Sequence, residues 1–166
     1  MTRAVVGIGS NRSPHAHIAL ALDVLEQSFG ALDISSIYRC PPVGVQGADF
    51  LNLVAAFDTA ASLEQLCIEL RDIEAACGRD RSQAELPPCI DIDLLLFGDT
   101  VHEHVPVLPR PDIVEQPFVL GPLAELMPEA RHPVCGMRYA DLWAKMAAQA
   151  HRLEPVNLKD SAPLLP

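Results

Sequence analysis

The sharpest chemical spacing in the chain is Asp91-Ile92-Asp93, at the mouth of an otherwise apolar run. Side chains alternate across a strand, so residues two apart point to the same face. Both carboxylates then share one side while Ile92 and Leu94 share the other. Such a pair suits Mg²⁺, which takes one or two carboxylates and completes its shell with water and substrate phosphates. It also reads as a solvated strand edge carrying two charges. Upstream, at a helix end, Gly78-Arg79-Asp80-Arg81 supplies two arginines. They can clamp phosphate or complement the negative end of the helix dipole. Cys40-Pro41-Pro42-Val43-Gly44, followed by Asp49-Phe50-Leu51-Asn52, is a rigid turn entering a strand. It can offer an aromatic face and an amide to a flat heterocycle, or serve as connection and core. His102 and His104 flank Glu103, a spacing that invites a metal reading, but a surface hairpin with two incidental histidines is the stronger one.

The elements that must position these groups follow from periodicity. Residues 3–9 alternate and are β-branched, ending at the turn signal Gly9-Ser10-Asn11. Ile18, Leu22, Leu25 and Phe29 recur at helical spacing, and Gly30 stops the run. Residues 32–39 and 50–59 are strand-like. Ser62 and Gln65 form a capping box for a helix carrying Leu63, Leu66, Leu70 and Ile73, closed by Gly78. Residues 90–97 make a further strand, ending at Gly98-Asp99. Strand, helix, strand, strand, helix, strand is the ferredoxin-like βαββαβ pattern of an α+β protein, a mainly antiparallel sheet with helices packed on it. A C-terminal helical extension follows: a proline-broken stretch over 105–117, an apolar segment over 118–127 and an amphipathic helix near 139–150. The expected organisation is one domain over residues 1–153 and a loosely held tail over 154–166.

Composition narrows the function. At 166 residues, 49% hydrophobic and 20% charged, the chain has the makings of a full core rather than of disorder. Twelve Lys and Arg against 22 Asp and Glu give a net charge of −10. So acidic a chain is a poor general binder of nucleic acid or anionic membrane, yet a few local cations can still hold a small anion. Arginines outnumber lysines ten to two, and arginine is the planar, bidentate partner of phosphate. The five cysteines lack a C-x-x-C pair, which predicts reduced thiols and no zinc site. The apolar run at 90–97 is too short and too acidic to span a bilayer. With no basic leader before the first strand, a cytoplasmic protein is expected.

Taken in order, these pieces resemble the 6-hydroxymethyl-7,8-dihydropterin pyrophosphokinase family. The match runs through Gly7-x-Gly9-Ser10-Asn11, Ser35-Ser36-x-Tyr38-Arg39-x-Pro41-Pro42-x-Gly44, Phe50-Leu51-Asn52 and Ile73-Glu74 with Gly78-Arg79-x-Arg81. It continues through Asp91-Ile92-Asp93-Leu94-Leu95-Leu96-Phe97-Gly98, Leu108-Pro109-Arg110-Pro111 and Phe118-Val119-Leu120 to Pro122-Leu123-Ala124-Glu125. It covers roughly residues 4–135. The resemblance implies transfer of the β,γ-diphosphoryl group of ATP to a dihydropterin hydroxymethyl oxygen, a step of folate biosynthesis. It also implies the ferredoxin-like fold, two Mg²⁺ ions on Asp91 and Asp93, and a monomer whose partners are ATP and the pterin. Pro41, Pro42, Val43, Phe50, Asn52 and Phe118 would hold the pterin. Glu74, Arg79, Arg81, Leu94 and Arg110 would lie on the nucleotide, with Arg79, Arg81 and Arg110 joining the two aspartates in catalysis.

The chain departs from that family in one zone. Pro88 stands where a loop arginine faces the phosphates, and Glu85 where a tryptophan closes over the pterin. Arg110 replaces a histidine and Gln116 a further arginine. Three readings follow: a pyrophosphokinase with a rewired nucleotide side, a homologue that binds pterin or nucleotide, and a kinase for a related heterocyclic alcohol. Retention of both aspartates favours an enzyme, since a pterin carrier needs no Mg²⁺.

Overall fold

The computed structural model describes residues 1–41, 47–78, 90–146, 148 and 153–158. Its elements run β1 (Thr2–Ser10), α1 (Pro14–Phe29), β2 (Asp33–Ile34), β3 (Ile37–Cys40), β4 (Phe50–Thr59), α2 (Leu63–Ala76) and β5 (Asp91–Phe97). The extension adds α3 (Asp112–Glu115), α4 (Pro117–Leu126), α5 (Tyr139–Met146) and β6 (Glu154–Val156).

Local chemistry starts and stops the helices where the sequence predicts. Pro14 opens α1, and Gly30 takes φ 85° at its end, a conformation in which only glycine is unstrained. At α2, Gln65 N donates to Ser62 Oγ at 3.2 Å and Ser62 N donates to Gln65 Oε1 at 2.9 Å, completing the capping box. The sheet order is β5-β1-β4-β3-β6, with β2 also on β4 and all pairings antiparallel. The order β5-β1-β4-β3 is that of a ferredoxin-like sheet.

Both faces of the sheet are covered. Ile18, Leu25, Leu66, Leu70 and Ile73 of α1 and α2 pack on Ala4, Val6, Ile8, Ile92 and Leu94, with Phe29 stacked on Phe57 at 4.2 Å. On the opposite face, Ile113, Val119, Leu120, Leu123 and Tyr139 cover Val5, Val54, Ala56 and Leu95. The extension is therefore the second half of the core. It explains why β4 is buried nearly end to end, where an antiparallel strand with one wet face would alternate.

Two elements differ from expectation. The strand predicted over 32–39 is two pieces at Ser35, whose N still donates to Val54 O at 2.9 Å while its side chain takes the place of its carbonyl as the second partner. Its Oγ accepts from Val54 N at 2.9 Å, and Ser36 N and Oγ both donate to Glu125 on α4. The expected last helix is present over Tyr139–Met146, and residues 147, 149 and 150 lie outside the described residues. The tail is not loose from Glu154: Glu154, Pro155 and Val156 pair with Arg39, Tyr38 and Ile37 and extend the sheet. Residues 159–166 lie outside the described residues. Among those described, no helix is long and apolar enough to cross a membrane.

Candidate active site

The site grows from three neighbouring strands. Asp91 is paired with Gly9, and Gly9 in turn with Asn52; Asp93 is paired with Gly7, and Gly7 with Val54. Directly opposed residues share a face, so both carboxylates and the Asn52 amide project on the side covered by α4. Ile92 and Leu94 point into the core beneath α1 and α2, as the alternation at 91–94 predicts. Gly7 and Gly9 lower the floor between the carboxylates and the amide. The result is a cavity of about 300 Å³ lined by Cys40, Pro41, Phe50, Asn52, Asp91, Asp93 and Phe118, among others. One wall is apolar and aromatic, and the polar groups converge from one side, as in small-molecule sites.

A second, open groove of about 1070 Å³ runs along the outer edge of β5, between α2 and residues 102–112. Arg71, Glu74, Leu94 and Arg110 line it, together with an apolar stretch formed by Ile68, Val105 and Val107. Asp91, Asp93 and Asp112 line both the cavity and the groove. Because β5 is an edge strand, one pair of carboxylates is reachable from two directions.

Each carboxylate sits in a specific environment. Glu74 is buried, 3% exposed, and its Oε1 accepts from Ile92 N at 2.8 Å. It thereby fixes the peptide that joins Asp91 to Ile92 and anchors β5. Burial pushes the Asp93 carboxyl above its usual range, Arg110 opposes the shift, and Asp91, Glu74 and Asp112 add to it. Arg110 Nη2 lies 3.6 Å from Asp93 Oδ2, and its Nε lies 3.2 Å from Asp112 Oδ2. A β-bulge sets this up. Val5 pairs with Leu96 and Val6 with Leu94, leaving Leu95 extra, and Leu95 O accepts from Arg110 N at 3.0 Å.

A divalent cation fits this chemistry. Two hard oxygen donors share a face, where burial and then the neighbouring carboxylates raise one of them. Among the described residues no group of three His, Cys, Asp or Glu is placed to hold a metal. Two carboxylates on one face suit Mg²⁺, whose shell phosphate oxygens and water would complete.

On the cavity side, Asn52 Nδ2 donates to Cys40 Sγ. Burial pushes the Cys40 thiol up to about 11, so it is neutral near pH 7 and serves as a hydrogen-bonding group. Pro41, Phe50, Asn52 and Phe118 are brought together as the sequence predicts. Pro42, Val43, Arg79 and Arg81, and the variant loop with Glu85 and Pro88, lie outside the described residues. His102 pairs with Leu108 in a hairpin, and its Nδ1 contacts the carbonyls of His104 and Pro106. Sequence reasoning missed Asp112, Arg71 and the Cys40 side chain. Asp112 stands two positions after Arg110 in a proline-broken stretch with no period to mark it.

Comparison with known proteins decides the family. The model of the 7,8-dihydro-6-hydroxymethylpterin-pyrophosphokinase family matches residues 5–128. This chain belongs to that family. Among curated members, the 2-amino-4-hydroxy-6-hydroxymethyldihydropteridine pyrophosphokinase of Methylorubrum extorquens is 40% identical over 134 residues, 78% of this chain and 85% of that protein. The Bacillus subtilis pyrophosphokinase is 33% identical over 128 residues, 74% of this chain and 77% of that protein. The folic acid synthesis protein fol1 of Pneumocystis carinii is 30% identical over 157 residues, and there the match spans only 21% of the longer protein. A solved structure of Plasmodium falciparum HPPK-DHPS superposes with a TM-score of 0.76 at 13% identity, over 93% of this chain and 45% of that one. That likeness supports the α+β fold alone. The activity of the pyrophosphokinase family is ATP-dependent pyrophosphoryl transfer in folate biosynthesis.

Proposed function

We propose that the protein transfers the β,γ-diphosphoryl group of ATP to the hydroxymethyl oxygen of 6-hydroxymethyl-7,8-dihydropterin, releasing AMP. The observation that carries this reading is the sharing of Asp91 and Asp93 by a half-open cavity with an aromatic wall and a larger groove. A flat heterocycle fits the first and a nucleotide the second, and the carboxylates stand where the two reacting ends meet. Mg²⁺ held by Asp91, Asp93 and the nucleotide phosphates would supply charge neutralisation for the transferring group.

The remaining work falls to the chain. Asn52 pairs with the heterocycle edge, while Phe50 and Phe118 give it an apolar wall. Glu74 keeps the two aspartates in register by holding the Ile92 amide. The apolar stretch of Ile68, Val105 and Val107 accepts the base. Arg110 and Arg71 face the phosphates from opposite walls of the groove, with Arg79 and Arg81 assigned to the same task by family position. Positioning and charge supply most of the catalysis of such transfers. The protein acts as a monomer in the cytoplasm in this reading. Turnover is slow, since Pro88 and Gln116 stand where the family has cations; a protein that only binds its ligands is the alternative these two residues favour.

The test is an assay with labelled ATP, Mg²⁺ and 6-hydroxymethyl-7,8-dihydropterin. AMP release dependent on both substrates and on Mg²⁺ supports the proposal. Tight binding of both ligands without AMP release replaces it with the binding reading.

A further inference from the structure

Two acidic residues converge on Arg110 and hold it unequally. Nε is within hydrogen-bond distance of Asp112 Oδ2 at 3.2 Å, while Nη2 stands off from Asp93 Oδ2 at 3.6 Å. The backbone is fixed separately: Arg110 N donates to Leu95 O at 3.0 Å, and Arg110 O accepts from Ile113 N at 3.1 Å. Asp112 thus holds the planar guanidinium at Nε, and this bond uses neither of its two terminal nitrogens. Asp112 also borders both the cavity and the groove, at the place where the two reactants come together.

We infer that Asp112 is a positioning residue for the transfer step, acting through Arg110. The inference rests on the reading of the groove as the nucleotide site. Once Asp93 turns its charge to a cation brought in with the phosphates, its looser hold on Nη2 is released. Arg110 then keeps one anchor, at Nε, and the N–H donors of both terminal nitrogens are left for phosphate oxygens in a rigid fork. Without Asp112, the nearest remaining partner of the guanidinium is Asp93 itself, and Arg110 competes with the cation for that carboxylate. Asp112 therefore keeps the Arg110 guanidinium on the phosphates and off the metal ligand Asp93. Such preorganisation favours transfer beyond simple binding.

A double-mutant cycle of Asp112→Asn and Arg110→Ala tests this. The readouts are calorimetric affinity for Mg²⁺ with a non-hydrolysable ATP analogue, affinity for a pterin analogue, kcat against KM, and thermal unfolding. Asp112→Asn is expected to weaken nucleotide affinity or kcat about three- to tenfold, leaving pterin affinity and unfolding unchanged. In the Arg110→Ala background it should add nothing, and Asp112→Glu should restore part of the loss. An equal effect in both backgrounds overturns the inference, as does a parallel fall in pterin affinity or unfolding temperature. A loss from Arg110→Ala with none from Asp112→Asn overturns it alone. No loss from Arg110→Ala overturns it together with the role of Arg110 in the nucleotide site.

Discussion

Gly9 and Asn52 face each other across the β1–β4 ladder so closely that a Cβ on Gly9 would lie 2.7 Å from Asn52 Oδ1. Only a glycine lets the amide lie over the sheet and face the cavity. Gly9→Ala should force the amide aside while leaving the strand paired, since β1 accepts an ordinary side chain elsewhere. The expected result is a loss of affinity for a pterin analogue with little change in thermal unfolding. Asn52→Ala removes the hydrogen bond outright, a cost of about 1–3 kcal/mol, or roughly five- to a hundredfold in the dissociation constant. Calorimetry on both variants checks the pair; unchanged affinity in both would relocate the pocket.

Asp93→Ala should abolish Mg²⁺-dependent binding of nucleotide without unfolding the chain, because the carboxylate serves the ligand more than the fold. Unchanged Mg·ATP affinity would show that the metal sits elsewhere. The apo protein supplies a second reading. Burial raises the Asp93 carboxyl, so its ionisation opposes folding above the raised value. That penalty is absent below the ordinary carboxylate pKa of about 3.9. Asp93→Asn should therefore be at least as stable as the parent near neutral pH, with the difference fading towards about pH 3. Urea unfolding at the two ends of that range measures it.

Glu125 behaves oppositely. Desolvation raises its carboxyl, but hydrogen bonds from the Ser36 hydroxyl, Tyr38 and the Ser36 amide together bring it below its usual range. A lowered folded pKa gives stability that is present above the unfolded value and lost as pH falls through the folded one. Glu125→Gln should cost about 1 kcal/mol near pH 7, the usual worth of such bonds reduced for exposure to solvent. The cost should shrink in acid. An equal loss at acidic and neutral pH would mean that Glu125 acts through packing rather than charge.

Turnover of the native chain should be measurable but well below that of a family member with all its arginines. Removing one preorganised donor costs about 2.7–4 kcal/mol, or 10²–10³ in rate, in other enzymes. Pro88→Arg should recover at least about tenfold in kcat, with pterin affinity nearly unchanged. Native turnover as fast as that of a complete member would show that Arg110 and its neighbours have taken over the lost cations.

The sequence alone determined the elements whose causes are local. The capping box of Ser62 and Gln65, the stop at Gly30 and the alternation through Asp91-Ile92-Asp93 depend on residues within one turn or one pleat, and each is legible without knowing the fold. The order of elements then leads to a ferredoxin-like sheet, because few ways exist to close a βαββαβ chain. What the tertiary structure decided is everything that joins distant residues. The split of the strand at Ser35 needs Val54 and Glu125, and the ordering of Glu154–Val156 needs the open edge of β3. The bulge at Leu95, which brings Arg110 and Asp112 to β5, leaves no mark in hydropathy, because it arises from register between β1 and β5. Periodicity reports which face a side chain takes, whereas the neighbours it meets there are fixed by packing between segments far apart in the chain.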